Sequence, residues 1–502
     1  CRGDVEFADG ATIKGRGGMD AVIVKYDAEL NFLWARAVGG SKDDTFERIA
    51  VTSAGDIVAV GKISGDVTID GTDQTLSGTQ STDGCIVVYD KDGNYKSSAQ
   101  IKAAGASLCY SVAVDKSDNI FVTGSTVGAT DFGNEKTVTI EGSNSGTFLA
   151  CYNNSLVCQW AIAGSSPVQS YGWAVNFDKE ENILLTGRFG TTFTITGTDG
   201  EALTTAVGSE SSQDTYVAKL SHEGVGQWIT YVTNSNRIDT RSIDSDSQGN
   251  VYIWGHCQSA VTPEGQSPLG FNGNFDSFLI KYSSAGAYLD GMNLGGSGRD
   301  EAKSLFVDAD DNIYVAGNVN GDGSKGGTAV NMNPRGESKD YTFKGHDGYV
   351  AKYNGSTWEL MQLEKTVTPD NANQHEVAWC VTMSPDYNKV YVTGYFNNGA
   401  TVFDGASLTL PFVRDYDIYT VLYSYTLMVK TKTLEPGVAN EPYYSNIVVD
   451  NVEGAVKFEI VSGALPDGIT LSKDGAFAGT PTKNGSYTFL SLIHISEPTR
   501  PY

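Results

Sequence analysis

The stretch DAVIVKYDAELNFLWARAVGG, residues 20–40, decides the fold because much of it recurs along the chain. Similar stretches begin at residues 83, 146, 214, 276, 347 and 417, so that successive copies lie 62 to 71 residues apart. A period of this size marks a repeat architecture, in which one supersecondary unit is copied and stacked.

The pattern inside each copy predicts four short strands. An apolar strand such as AVIVKY is followed by a polar turn and a second strand, which carries tryptophan in three copies (Trp34, Trp160 and Trp228). A third strand such as RIAVT leads through an Asp/Asn/Gly turn into a fourth strand that closes on glycine, as in DIVAVG or NIYVAG. We therefore predict that one copy forms one antiparallel sheet, with the recurring tryptophans in its core.

A single sheet of this size cannot bury both of its faces, so the copies must stack. Radial stacking around a central channel gives a β-propeller, which leaves only short, protected edges. A linear β-solenoid is the alternative, but its coils are usually much shorter than these repeats. The fold class predicted from the sequence is therefore all-β, with a β-propeller of about seven four-stranded blades.

The repeats also suggest domain boundaries. The propeller is expected over residues 1–430, with complete repeats at 20–416 and a closing blade shared by 1–19 and 417–430. Residues 3–26 align with 65–89, which places Cys1 in the middle of a unit and predicts a truncated N-terminal blade. The tail SLIHISEPTRPY, residues 491–502, resembles translated read-through of a sequencing adaptor and is excluded from fold reasoning.

Residues 20–61 together with DGYVAKYNGSTW and VDADDNIYVAGNV resemble the SBBP family, the seven-bladed β-propeller repeat of exported bacterial proteins. The resemblance covers nearly all of residues 1–428 and implies an extracellular or outer cell-surface location. Gly146 departs from the pattern by replacing the leading aspartate, and Ser97, Asp290 and Met361 depart from it by replacing tryptophan.

Residues 431–490 lack the period and show short strand signals separated by Pro and Gly, which predicts an incomplete β-sandwich. The stretch GALPDGITLSKDGAFAGTPTKNGSYTF, residues 463–489, resembles the Ig-like (cadherin-like) domain of bacterial surface proteins. That resemblance implies a spacer module, and some of its relatives bind calcium.

Composition excludes several function classes. The net charge of −25 argues against a nucleic-acid partner, because phosphate binding needs clustered Lys and Arg. The sequence has no run of 18 or more apolar residues, so no transmembrane segment is predicted. The seven cysteines form no CxxC pair, which argues against a structural zinc site. Cys151 and Cys158 flank one turn, where they form either a disulfide or two small buried side chains.

Two carboxylate-rich turns are the candidate metal sites. Asp244 and Asp246, and likewise Asp308 and Asp310, have the alternate spacing of a calcium loop, and hard oxygen ligands suit Ca²⁺. No Glu stands where an EF-hand needs its bidentate ligand, and turn dihedrals alone account for Asp, Asn and Gly in these positions. The turn interpretation is favoured over calcium, and no other cofactor is expected.

Further candidates are the polar residues and tryptophans outside this pattern. The repeated leading aspartates either line the channel or, as we favour, satisfy backbone N–H groups between blades; they are Asp20, Asp83, Asp214, Asp276, Asp347 and Asp417. Trp254 and Trp358 are less regular and slightly favour a ligand role. The histidines form no HExxH pair and are expected in loops or at the surface, and no GxSxG motif occurs, so no catalytic residue is predicted; the histidines concerned are His222, His256, His346 and His375.

The sequence favours a non-enzymatic, exported or cell-surface scaffold, expected to be monomeric, that presents a face of variable polar loops to a glycan or a protein. The alternative is an extracellular polysaccharide-degrading enzyme, or its targeting module, whose catalytic part lies outside this sequence. Paired carboxylates on one face would favour the enzyme.

Overall fold

The computed structural model describes residues 1–7, 10–78, 81–141, 144–206, 213–320, 328–343, 345–367, 376–384, 389–397, 401–403, 409–410, 417–424, 428–429, 434, 436–447, 449–450 and 456–495. All regular structure in these residues is β-strand, and no helix among them is long and apolar enough to cross a membrane. The chain divides into two compact units, Cys1–Thr382 with Val392–Val421 and Met383–Tyr391 with Leu422–Tyr502.

The strands follow in chain order. The first group is β1 (Val5–Glu6), β2 (Thr12–Ile13), β3 (Ala21–Tyr26), β4 (Phe32–Gly40), β5 (Thr45–Val51), β6 (Ile57–Ser64), β7 (Val67–Ile69), β8 (Thr75–Leu76), β9 (Thr82–Tyr89), β10 (Tyr95–Ala103), β11 (Ser107–Val114), β12 (Ile120–Thr126), β13 (Ala129–Asp131), β14 (Thr137–Thr139) and β15 (Gly146–Tyr152). The second is β16 (Cys158–Ser165), β17 (Ser170–Phe177), β18 (Ile183–Phe189), β19 (Thr192–Thr196), β20 (Ala202–Ala206), β21 (Asp214–Leu220), β22 (Gly226–Thr233), β23 (Ile238–Ser245), β24 (Val251–Cys257), β25 (Thr262–Pro263), β26 (Asp276–Tyr282), β27 (Tyr288–Leu294), β28 (Glu301–Val307), β29 (Ile313–Asn320) and β30 (Thr328–Asn331). The third is β31 (Asp340–Phe343), β32 (His346–Tyr353), β33 (Leu360–Val367), β34 (Glu376–Met383), β35 (Lys389–Phe396), β36 (Thr401–Phe403), β37 (Thr409–Leu410), β38 (Asp417–Ser424), β39 (Met428–Val429), β40 (Tyr443–Asn446), β41 (Val449–Asp450), β42 (Val456–Gly463), β43 (Ile469–Leu471), β44 (Ala476–Gly479) and β45 (Phe489–Ile495).

The repeats build a series of antiparallel sheets, numbered here in chain order. They are sheet 1 (β3-β4-β7-β8), sheet 2 (β5-β6-β9-β10-β13-β14), sheet 3 (β11-β12-β15-β16-β19-β20), sheet 4 (β17-β18-β21-β22-β25), sheet 5 (β23-β24-β26-β27), sheet 6 (β28-β29-β32-β33-β36-β37) and sheet 7 (β34-β35-β38). We call the first strands of sheets 2 to 7 the inner strands.

The prediction that one sequence copy forms one sheet is wrong. In sheet 2, β5 and β6 are the third and fourth strands of the first copy, whereas β9 and β10 are the first and second strands of the next copy. The closing strand β6 pairs along its whole length with the leading strand β9, from Ile57 opposite Tyr89 to Ser64 opposite Thr82. Each copy is therefore shared between two neighbouring sheets.

The polar segments between copies, predicted as loops, mostly fold into short hairpins. The hairpins β7–β8, β13–β14, β19–β20 and β36–β37 each add two strands to the outer edge of the preceding sheet. In the first of them Val67 and Ile69 are buried while Thr68 between them is exposed, which is the alternation of a half-buried strand. The hairpins extend the sheets outward.

The core lies between consecutive sheets. In β9, Cys85, Val87 and Tyr89 pack against sheet 1, while Ile86 and Val88 pack against sheet 3. The same arrangement recurs in the clusters that join sheets 3 and 4, 4 and 5, and 5 and 6. Because both faces of a sheet are covered, its middle strands are almost continuously apolar rather than alternating.

The tryptophans of the second strands lock neighbouring sheets together, as the predicted core role requires. Trp34 is buried and its Nε1–H donates to the carbonyl of Lys91, in the β9–β10 turn of the next sheet, at 3.2 Å. In the same turn Gly93 has φ +82° and presents its bare Cα to the indole. Trp228 repeats this contact with the turn that contains Gly286.

The second unit contains short antiparallel strands. Its sheets are β40-β44-β43, β42-β45 and β39-β41, and Phe458 and Phe477 are buried. Residues 491–495 belong to β45, which pairs with β42. This pairing does not test the origin of the tail, and 496–502 lie outside the described residues. The Ig-like assignment of 431–490 stays a prediction.

Candidate functional site

Each inner strand of sheets 2 to 6 contains a β-bulge at the same position. The register with the second strand shifts between Phe46 and Arg48 in β5, and it shifts at the equivalent place in β11, β17, β23 and β28. The extra residues are Glu47, Tyr110, Trp173, Arg241 and Lys303, and Trp379 has the same repeat position in β34. We call these six residues the bulge row.

The bulge explains why every fourth strand closes on glycine. A Cβ on Gly255 would lie 2.7 Å from the carbonyl oxygen of Asp239, two residues before the bulge residue. The closing glycines of the other described sheets face the equivalent carbonyl, and on Gly317 a Cβ would lie 2.5 Å from it. Only a residue without a side chain fits there, as is common where a strand passes close to another backbone.

Consecutive members of the bulge row interact across the sheets. The rings of Tyr110 and Trp173 have centroids 4.5 Å apart, and Tyr171 stacks on Trp173 at 5.7 Å. The guanidinium of Arg241 lies 5.0 Å from the centroid of Trp173, and the Lys303 ammonium lies 4.5 Å from that of Trp379. From Tyr110 to Trp379 the members of the row are thus aromatic or cationic, and only its first member, Glu47, is acidic.

The buried carboxylate of Asp239 forms ion pairs with arginines of sheets 4 and 5. Asp239 accepts from Arg237 at 2.7 Å and from Arg188 at 3.2 Å, and it lies 3.8 Å from Arg241. Burial opposes the ionisation of Asp239, but His256 and the arginine charges outweigh it and lower its pKa. Burial also lowers the pKa of His256, so this imidazole is neutral near pH 7.

A second carboxylate is paired in sheet 6. Glu301 accepts from Lys303 Nζ at 2.7 Å and from Arg299 Nε at 2.7 Å. Burial opposes its ionisation, yet the charge of Lys303 and its other cationic neighbours lower its pKa to about 2. Around the two carboxylates stand five cationic side chains, so this region is locally positive in a chain of net charge −25; these cations are Arg188, Arg237, Arg241, Arg299 and Lys303.

The inner strands of sheets 2 and 5 meet next to the bulge row. Arg48, the residue after the bulge in sheet 2, donates from Nη2 to the carbonyl of Arg241 in sheet 5 at 3.1 Å. Sheets 3 and 4 lie between these two along the chain, so this bond crosses from one side of the set of inner strands to the other. The inner strands of sheets 2 and 5 therefore come into contact although two sheets separate them along the chain.

Three buried donors of this region have no acceptor among the described residues. They are Trp173 Nε1, Arg188 Nε and Arg241 Nε. A buried N–H without a protein acceptor is unfavourable, and a water molecule or a ligand can supply the missing acceptor.

The calcium candidates do not meet in one site. Asp246 accepts backbone N–H groups of its own turn, a side-chain amide and Lys281 Nζ at 2.9 Å. Asp308 accepts the N–H groups of Asp310 and Asn312, and Asp310 itself is exposed. These contacts are those of a turn-forming aspartate.

The remaining candidate, Asp244, is half-buried between three sheets. It accepts from Asn176 Nδ2 at 3.0 Å and from the N–H of Val307 at 2.8 Å, and burial raises its pKa to about 7. No group of three or more His, Cys, Asp or Glu side chains that could hold a metal occurs in the residues described.

Five of the six leading aspartates, from Asp20 to Asp347, are buried, and Asp417 is half-buried. Asp20 accepts the N–H of Arg16, and Asp214 accepts the N–H of Asn234. Asp20, Asp214 and Asp276 thus satisfy backbone N–H groups as favoured, although beside their own strand rather than between sheets, whereas Asp83 accepts from the side-chain amide of Gln100 at 3.0 Å.

Other sequence expectations are corrected by burial. Trp254 and Trp358 are core residues with 0% and 2% exposure, so the ligand role suggested for them is wrong. His256, expected in a loop or at the surface, is a buried strand residue, and His375 lies outside the described residues.

Cys151 and Cys158 are both buried free thiols. In the strand register Cys151 lies opposite Trp160, whereas Cys158 lies opposite Tyr152. The two cysteines therefore belong to different core clusters, on opposite faces of sheet 3. Of the two alternatives, the structure shows two small buried side chains.

Sequence reasoning missed the bulge row. Its signal was available, because Trp173 and Trp379 share one repeat position on the third strand. That position otherwise changes from Glu to Tyr, Arg and Lys, while the position two residues further on stays apolar (Ile49, Val112, Val175, Ile243, Leu305 and Val381). A variable position inside a regular strand pattern is where function departs from the scaffold.

Comparisons with known proteins agree with this architecture. A family model described as SBBP, beta-propeller repeat, matches residues 98–133. An uncharacterized WD repeat-containing protein, L264, of Acanthamoeba polyphaga mimivirus is 23% identical over 369 residues, which are 61% of this chain and 27% of the viral protein. The chain thus matches only about a quarter of the length of that relative.

Two solved structures are also similar. A protein of unknown function from Dyadobacter fermentans DSM 18053 gives a TM-score of 0.36 at 12% identity, covering 70% of this chain and 91% of that chain. A structure described as the extracellular domain of a one-component system from B. thetaiotaomicron gives 0.15 at 10% identity, covering 97% and 84%. Both TM-scores are too low for these superpositions to bear on the fold.

The repeated antiparallel sheets, the family-model match and the WD-repeat relative together identify this chain as a β-propeller repeat protein.

Proposed function

We propose that this protein is a non-enzymatic binding scaffold of the cell exterior that presents one end of its propeller to a glycan or protein ligand. The observation that carries the proposal is the bulge row with its aromatic and cationic side chains. Bulges commonly re-aim side chains next to functional sites. The exterior location rests on the resemblance to exported repeat proteins.

The bulge row and the segments between copies lie at the same end of the sheets. In sheet 2 the bulge follows the first two residues of β5, opposite Gly61 and near the last residue of β6. The chain leaves β6 at this end and returns to it at Thr82. The variable segments therefore begin and end beside the bulge row, as expected for a binding end built on a rigid scaffold.

The two carboxylates that pair with the cations of the site act as counter-charges rather than as general acids. Asp239 and Glu301 both have lowered pKa values and are held in ion pairs. A general acid needs a carboxyl group that keeps its proton near neutral pH. Neither group meets that requirement, whereas an array of fixed cations and aromatic rings suits recognition.

We also propose that the sheets close into a seven-bladed ring. Ile49 on β5 is 58% exposed, whereas the residues at its position in the other inner strands are buried; they are Val112, Val175, Ile243, Leu305 and Val381. The first four of these pack in the clusters that join their sheet to the preceding one. In a closed ring Ile49 would have the same kind of neighbour. Electron-microscopy class averages of the protein would show seven lobes, and six or an open arc would refute closure.

The binding proposal is tested with a glycan and protein ligand array. The intact chain is compared with Trp379→Ala, and Tyr444→Ala serves as the control because Tyr444 is an exposed aromatic outside the row, at 69%. We expect ligands whose signal is lost in Trp379→Ala and retained in Tyr444→Ala. An array with no ligand that depends on the row would contradict the proposed function.

A further inference from the structure

We infer that the bulge row binds an acidic oligosaccharide, with a sugar ring on Trp379 and carboxylates of successive sugars against Lys303, the half-buried guanidinium of Arg241 and the buried guanidinium of Arg188. This inference rests on the proposed binding function and adds the ligand class to it. The arguments are the local charge, the orphan donors and the exposed aromatic face.

The cations of the site exceed what its own carboxylates need. Asp239 has Arg237 at 2.7 Å and Arg188 at 3.2 Å, so Arg241, at 3.8 Å, is its most distant arginine partner. Glu301 is likewise shared between Lys303 and Arg299. Buried or half-buried cations in excess favour an anionic ligand, because the protein has already desolvated them.

The orphan donors specify what kind of anion fits. Arg188 is 9% exposed, its Nη1 is paired with Asp239, and its Nε–H has no acceptor among the described residues. The Nε–H of Arg241 and the Nε1–H of Trp173 are in the same condition. A planar carboxylate can accept from guanidinium N–H groups in pairs, and sugar hydroxyls can serve the remaining donor.

The aromatic part of the row favours a sugar over a simple anion. Trp379 is 46% exposed and lies beside the Lys303 ammonium and beside Tyr395, whose ring centroid is 6.0 Å away. An exposed indole beside a cation offers an apolar face for the C–H face of a sugar and a charge for its carboxylate. A nucleic acid is disfavoured by the net charge of −25.

The test is isothermal titration of the full chain with tri-galacturonate and with its carboxyl-reduced, neutral counterpart. Arg241→Gln removes the arginine that lies farthest from Asp239, at 3.8 Å. Its matched control is Arg36→Gln, because Arg36 also stands over a tryptophan, at 5.6 Å from the ring of Trp34, but away from the inner strands. Thermal melting establishes that each variant is folded.

We expect tri-galacturonate to bind, with affinity at least about tenfold weaker in Arg241→Gln and in Trp379→Ala, unchanged in Arg36→Gln, and falling with salt. The neutral trisaccharide should bind at least about tenfold more weakly than the acid. Equal binding of the neutral sugar would overturn the ligand class while leaving the proposed function standing, provided that Trp379→Ala still abolishes it.

Two further results would overturn the inference. If poly-glutamate binds as tightly and with the same variant dependence, the row recognises acidic peptide rather than sugar. If tri-galacturonate binding is the same in every variant, or is absent while an unrelated ligand depends on the row, the carboxylate site is not here.

Discussion

Replacing Gly286 by alanine tests how neighbouring sheets are joined. Gly286 stands in the turn between β26 and β27 with φ +85°, and a Cβ there would lie 2.7 Å from Cδ2 of Trp228. The indole cannot move away freely, because its Nε1–H donates to the carbonyl of Ser284 at 3.1 Å in the same turn. The substitution therefore combines a strained backbone with an overpacked contact between sheets 4 and 5.

The two effects can be estimated and separated. A non-glycine residue in the left-handed region costs about 1 kcal/mol, and overpacking a close contact costs about 1–3 kcal/mol, so Gly286→Ala should lose about 2–4 kcal/mol. Gly249 provides the control in the same sheet, since its φ is +74° but the nearest atom to its Cβ would be Ser284 Cβ at 3.6 Å. Gly249→Ala should therefore lose only the backbone contribution, about 1 kcal/mol.

Urea unfolding followed by tryptophan fluorescence measures both variants. We expect the midpoint to fall about two to four times further in Gly286→Ala than in Gly249→Ala, and Trp228→Leu should recover part of that difference in the double variant. Equal shifts in the two alanine variants would refute the reasoning, because they would mean that the indole yields without cost and does not hold the sheets together.

Three other outcomes are expected. Burial raises the pKa of Asp244 to about 7, so the native protein keeps this proton to a higher pH than the unfolded chain does. The free energy of unfolding should therefore fall as the pH rises from about 4 to about 7. In Asp244→Asn the urea midpoint should depend less on pH over this range. Lys219→Met leaves Asp178 buried without its partner at 2.6 Å and should cost about 3–5 kcal/mol in urea unfolding, whereas Lys91→Met, in an exposed pair, should leave the midpoint unchanged. Excess calcium should not shift the melting temperature, because the turn carboxylates already accept protein donors; an upward shift would revive the metal site.

Much of the propeller repeat could be predicted from local pattern. The apolar strand around Val87, the turn before Gly93 and the core role of Trp34 all follow from residue type and spacing. Each depends on neighbours a few residues away, and such preferences are written in the chain itself.

The sequence pattern does not predict which four consecutive strands of the repeat form one sheet. A four-strand pattern that recurs can be divided at any of its turns without changing the period, so β5 could equally follow β4 or begin a new sheet. The decision rests on long-range pairing of β6 with β9, which buries both faces of each strand between neighbouring sheets. Similarly, the short alternation of apolar and polar residues around Val67 forms a hairpin because β7 pairs with the edge strand β4.

The candidate site belongs wholly to the tertiary level. Trp173, Arg241 and Lys303 are separated along the chain by about the length of a repeat, and none carries a recognisable motif. Their meeting requires stacked inner strands, each with a bulge at the same place and a closing glycine that makes room for it. The sequence by itself determined the strands, the turns and the number of copies, because these are local properties repeated along the chain. Only the tertiary structure decided which strands share a sheet and which side chains meet at its inner edge, because both depend on pairing between segments that the linear pattern leaves equivalent.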